Sequence, residues 1–78
     1  MFVRLEKIDS EQRQNRFYAM YVARTLFGEW CLVREWGRIG AAGGRRLTEY
    51  TASESDAHEA LDKRLREKKR RGYRLSAA

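Results

Sequence analysis

The hydrophobic period changes once along this chain, near residues 51–53, and that change limits the fold more than any other feature. Up to Tyr50, apolar residues alternate with polar ones or gather in β-branched and aromatic runs. From Ser53 onward they recur at helical spacing, as Ala57, Ala60, Leu61 and Leu65. Alternation marks strands with a buried face, and 3.6-residue spacing marks a helix with one apolar stripe. The chain is therefore expected to be an α+β domain: a small curved antiparallel sheet of four to five strands with one long helix packed on it.

The elements follow in order. Phe2–Ile8 reads as a first strand, with Val3 and Leu5 alternating against Arg4 and Glu6. Asp9–Asn15 is polar and reads as a loop. Phe17–Arg24 reads as a second strand, with Tyr18, Met20 and Val22 on one face. Thr25-Leu26-Phe27-Gly28 reads as a turn, with Leu26 and Phe27 tucked beside it as a hydrophobic plug. Glu29–Trp36 reads as a third strand, in a hairpin with the second, and Trp30 reads as core. Residues 37–44 hold four of the six glycines, a composition suited to bulges or close backbone approach. Arg46–Tyr50 reads as a fourth strand.

Ser53 is the expected N-cap of the helix, with Asp56 three residues on as a short capping box. Acids open the helix and Lys68, Lys69, Arg70 and Arg71 close it, which complements the helix dipole. Glu59–Lys63, Asp62–Arg66 and Glu67–Arg71 are spaced as i,i+4 ion pairs. Gly72 suits the C′ position. Tyr73–Leu75 is expected to add an edge strand or pack back on the sheet, and Ser76–Ala78 to be a frayed end. One domain over residues 1–78, with its core in 2–75, accounts for the whole chain.

Several function classes fall away. Cys31 is the single cysteine, so no disulfide forms within the chain, and it reads as a small buried hydrophobe. One cysteine fits a reducing cytosol, and the expected location is cytoplasmic. Residues 1–6 meet charge at once and do not read as a signal peptide. No apolar run approaches the ~18 residues of a membrane helix. His58 is the sole histidine and reads as a surface residue of the helix. No pair of carboxylates is spaced for acid–base work, and no His/Cys/Asp cluster has metal-ligand spacing. The glycines lack the Gly-x4-Gly-Lys-Ser/Thr pattern of a phosphate loop. Catalytic residues, metal ligands and cofactors are thus expected to be absent, and the chain reads as a binding module.

Charge suggests the ligand. The net charge is +6, and residues 63–74 hold eight basic residues and one acid, Glu67. A basic domain suits a polyanion. The run Glu35-Trp36-Gly37-Arg38-Ile39-Gly40 puts an indole and a guanidinium together at a strand end, a combination that suits sugars, bases and phosphates. Arg45 and Arg46 are placed to extend that contact. The Lys68–Arg71 cluster has two readings, a sequence-blind phosphate contact and a solubilising helix end. Trp36 likewise reads either as exposed or as core.

At Trp36-Gly37-Arg38 the chain resembles the WGR domain family. The resemblance spans roughly residues 4 to 73. It includes Arg16-Phe17-Tyr18, the Leu26–Trp30 segment, Leu32 to Gly40, the acidic-started helix and Arg70-Arg71-Gly72-Tyr73. It is nearest to the short stand-alone bacterial members. The resemblance implies a curved antiparallel sheet carrying one helix. Family members occur inside DNA-damage-activated poly(ADP-ribose) polymerases. There the motif tryptophan stacks at the sugar of a DNA break terminus, and the arginine links DNA to neighbouring domains. Carried over, these roles fall on Trp36 and Arg38, with Arg34 at a basic position of the same strand. Ala41-Ala42-Gly43-Gly44 is smaller than the Thr- and Gln-containing version of many members. These 78 residues have no room for a transferase domain or zinc fingers.

The expected ligand-binding set is Trp36, Gly37, Arg38, Arg34, Arg45, Arg46, Lys68, Lys69, Arg70 and Arg71. The expected partner is nucleic acid, DNA before RNA, bound at ends or nicks by a monomer with no membrane contact. The alternative is a protein-interaction module that docks an acidic partner through Trp36 and the basic helix.

Overall fold

A computed structural model describes residues 2–76. Its elements are β1 (Phe2–Asp9), β2 (Gln14–Arg24), β3 (Trp30–Arg38), β4 (Arg45–Thr51), α1 (Glu54–Arg70) and β5 (Arg74–Leu75). The strands form one sheet in the order β4-β3-β2-β1-β5, antiparallel at every pairing. The α+β architecture expected from the change of period is the observed one. Tyr73–Leu75 resolves as an edge strand, with Leu5 opposite Leu75. Ser76, read as part of a frayed end, donates its amide to the Arg4 carbonyl at 2.9 Å. Ala77 and Ala78 lie outside the described residues.

The helix covers one face of the sheet. Val3, Leu5, Tyr18, Met20 and Leu32 project from that face and bury against Leu61, with Val22, Trp36, Ala60, Leu65 and Tyr73 at the margin. The apolar stripe of α1 supplies the contact, and Ala57 and Leu61 are fully buried. The Ser53 hydroxyl accepts from the Asp56 amide at 3.1 Å, which satisfies one free donor of the first turn. At the other end Gly72 takes φ +96°. Its amide bonds Lys69 O at 3.1 Å, and the Tyr73 amide bonds Lys68 O at 3.0 Å. This is a Schellman cap, and it turns Tyr73 back beside the helix.

Four expectations need correction. Leu26 and Phe27 form no plug: they are 102% and 92% exposed. The turn that carries them is closed by its own hydrogen bonds, Gly28 N to Thr25 O at 2.9 Å and Glu29 N to Thr25 Oγ1 at 3.1 Å, and needs no apolar anchor. Trp30 lies outside the core cluster, half-buried, with the Arg24 guanidinium 5.4 Å from its ring. The strands also outrun their expected ends. β2 begins at Gln14, and β3 runs on through Trp36-Gly37-Arg38, because Arg16 and Phe17 pair with Arg38 and Gly37. The motif is therefore strand, not turn. Finally, none of the three i,i+4 pairs closes among the described residues. The helix makes Arg64–Glu67 at 3.5 Å and Arg64–Glu49 at 3.7 Å instead.

Cys31 is buried, its thiol directed at Ala23 O at 3.6 Å. No described helix is long and apolar enough to cross a membrane.

Candidate functional site

Pairing of β2 with β3 builds the site. The turn at residues 25–28 sets the register, which puts Tyr18 opposite Trp36 and Arg16 opposite Arg38. Directly paired residues share a face. Tyr18 and Trp36 stack with ring centroids 5.7 Å apart and 15° between planes. Tyr73, delivered by the helix cap, meets Tyr18 edge-on at 6.4 Å.

Tyr18 is the hub of this cluster and is only 4% exposed. Its hydroxyl accepts from Arg34 Nη1 at 3.2 Å. Lys68 Nζ lies 4.4 Å from its ring centroid and 5.4 Å from that of Tyr73. Aromatic faces attract an ammonium, so Lys68 is drawn over the cluster from the last turn of the helix.

Beside these rings runs a groove of about 620 Å³. The turn between β1 and β2 forms one wall, continued by Gln14 at the start of β2. Arg16, Trp36 and Arg38 come from the sheet, and Lys68 and Tyr73 from the helix end. Arg13 lines it too, and no carboxylate does. Burial holds the Lys68 ammonium below the usual lysine range, and Arg71, Arg34 and Arg64 push the same way against Glu67. An anion entering the groove relieves that crowding of positive charge.

The ten expected residues divide. Trp36, Gly37, Arg38 and Lys68 line the groove. Trp36 is both core margin and groove lining, so its two readings are each partly right. Gly37 contributes space: a Cβ there would stand 3.3 Å from the Phe17 ring and from Gly44 Cα. Arg34 is not a surface contact. Its side chain is 13% exposed, and its guanidinium reaches Glu49 at 3.5 Å as well as Tyr18. Arg45 and Arg46 point to opposite faces of the sheet, as strand neighbours must. Arg45 pairs with Trp36. Arg46 sits on the far face, 3.6 Å from Glu35 and donating to the Tyr21 hydroxyl at 2.8 Å. Lys69, Arg70 and Arg71 are exposed at the helix end, and none of them lines the groove.

Sequence reading missed Arg13, Arg16 and Gln14 as groove residues. The signal for Arg16 was in the hairpin: once the turn is placed, its pairing with Arg38 follows. Among the described residues, no group of three or more His, Cys, Asp or Glu side chains could hold a metal ion.

A small sheet with one covering helix, carrying an aromatic, carboxylate-free cationic groove at one end, defines a class of compact binding domains. Within that class, this chain belongs to the WGR domain family, whose model matches residues 1–78. It is 40% identical over 70 residues to the uncharacterized protein y4dW of Sinorhizobium fredii. That match covers 90% of this chain and 34% of the relative, so the chain spans about a third of that protein's length. No solved structure matches it.

Proposed function

We propose that this domain is a non-enzymatic nucleic-acid-binding module, monomeric and cytoplasmic, that takes a DNA end or nick into the groove beside Trp36. The observation that carries this reading is the lining itself: stacked aromatic rings beside Arg13, Arg16, Arg38 and Lys68, with no acid among them. Guanidinium and ammonium groups hold phosphates, and an indole offers a flat apolar surface to a sugar or base. Arg45 and the exposed Lys69, Arg70 and Arg71 add attraction that is blind to sequence. Arg34 supports Tyr18 from beneath. The family's place in DNA-damage-activated polymerases favours DNA over RNA.

Fluorescence anisotropy tests the reading with a blunt duplex, a nicked duplex, a closed circle and a single strand at two salt concentrations. Preference for the blunt and nicked forms is expected. Arg38→Met and Trp36→Ala should lose that preference, with circular dichroism reporting whether each variant is folded. Reversing the charge of Lys69 and Arg70 should weaken every ligand alike. Equal losses from both kinds of variant would refute this division of roles. Absence of binding to any nucleic acid at low salt would leave the second reading, an acidic protein partner held by the same cations.

A further inference from the structure

Three separate costs meet in the groove, two of them on one wall. Arg13 is the sole non-glycine residue with positive φ among the described residues, at +54°. The adjacent Gln14 has its Oε1 buried with no hydrogen-bond partner. Arg13 and Lys68 are held in one carboxylate-free groove with Arg16 and Arg38. A left-handed non-glycine residue persists only where its surroundings fix it. Here Asp9 Oδ1 accepts from the amides of Glu11 and Gln12, at 3.1 and 3.3 Å, and Gln14 pairs back to Asp9. The turn thus fixes the backbone of Arg13 and Gln14 and leaves the Gln14 side-chain amide free to rotate.

We propose that this turn reads a nucleobase: Gln14 accepts a hydrogen bond from an N–H group of an unpaired base whose phosphate the groove cations hold. This rests on the nucleic-acid reading above and adds to it a contact to the base. The groove's side chains are rich in donors and aromatic faces and poor in acceptors. The Tyr18 hydroxyl already accepts from Arg34, and there is no carboxylate. An N–H entering the groove therefore finds its side-chain acceptor in the amides of the turn, and the Gln14 oxygen gains a partner by turning outward to meet it. A nucleotide fits this description, an anion joined to a flat ring with an N–H donor, and a ring N–H such as that of thymine or guanine is free only when the base is unpaired.

The test uses a hairpin duplex with a one-nucleotide overhang carrying either thymine or difluorotoluene, which keeps thymine's shape and lacks its N–H. The wild-type protein should bind the thymine probe about fivefold more tightly, the worth of one net hydrogen bond. Gln14→Leu should bind the two probes equally. Gln14→Glu keeps an acceptor, so it should still prefer thymine while binding both more weakly. Equal binding of the two probes by the wild type, or undiminished preference in Gln14→Leu, overturns the inference while leaving the groove reading intact. Failure of the wild type to bind either probe overturns both.

Discussion

Arg34 separates a support role from a ligand role in numbers. Its guanidinium spends one nitrogen on the Tyr18 hydroxyl at 3.2 Å and another on Glu49 at 3.5 Å, while Nε is buried without a partner. Changing Arg34 to Met strands the hydroxyl of a ring that is 4% exposed. That costs about 1–3 kcal/mol, and removal of the unpaired Nε offsets a similar amount. Glu49 keeps Arg64 at 3.7 Å, so no carboxylate is orphaned. The single variant should therefore lose no more than about 2 kcal/mol. Tyr18→Phe should cost about 1 kcal/mol. Combined with Arg34→Met it strands no hydroxyl, so the double variant should be more stable than the sum of the singles by about 1–2 kcal/mol. Urea denaturation of all four proteins measures this, and a domain of this size, at roughly 4–12 kcal/mol in total, tolerates each change. The same proteins test the ligand side. A phosphate contact contributes about 0.9 to the slope of log affinity against log salt. Arg34→Met should leave that slope unchanged, whereas Arg16→Met and Arg38→Met should each lower it by about one contact. Additive singles within about 0.5 kcal/mol, or a shallower slope in Arg34→Met, would refute this account of Arg34.

Further outcomes follow from other positions. Leu26→Ser with Phe27→Ser should leave stability within about 0.5 kcal/mol of wild type by thermal melting, since both side chains are already in water. Leu61→Ala should cost about 2–5 kcal/mol in the same assay, because Leu61 is fully buried at the helix–sheet contact. Lys68 loses its proton at lower pH than an ordinary lysine. DNA affinity should accordingly fall as pH rises through that lowered value, and Lys68→Arg should abolish this early fall. Stability moves the other way: between the lowered value and 10.5 the unfolded chain holds that proton more tightly, so this group's contribution rises with pH. Gly44→Ala should cost about 1–3 kcal/mol by urea denaturation, since its Cβ would stand 2.9 Å from the Trp36 carbonyl oxygen.

The fold was legible because its signals are local. Alternation in β1 and β2, the Ser53 cap, the Ala57–Leu65 stripe and Gly72 each act within a few residues, and each appears where expected. The site was legible only in part, because it depends on register. Trp36, Arg38 and Lys68 stand out as residue types beside suggestive neighbours. Arg16 and Gln14 enter the groove only once β2 is aligned against β3 and β1. Arg34 misled because a guanidinium on a basic strand looks alike whether it faces solvent or Tyr18. The Leu26–Phe27 expectation failed for a related reason: apolarity predicts burial only where an element lies within reach, and the hairpin tip has none.

Gly37 and Gly44 carry a consequence for how this motif is used as a label. The two backbones pass so closely that a side chain at either position meets Phe17, the facing glycine or the Trp36 carbonyl. The sheet therefore constrains the glycine of Trp-Gly-Arg whether or not anything binds: a Cβ at Gly37 needs Phe17 and Gly44 to give by a few tenths of an ångström, and one at Gly44 would stand 2.9 Å from the Trp36 carbonyl oxygen. A domain that had lost its ligand would stay under the same constraint, and its tryptophan would still pack at the core margin. Searches on the three letters will collect intact folds, competent and incompetent alike. On the proposed reading, sorting one from the other falls to the groove cations Arg16, Arg38 and Lys68.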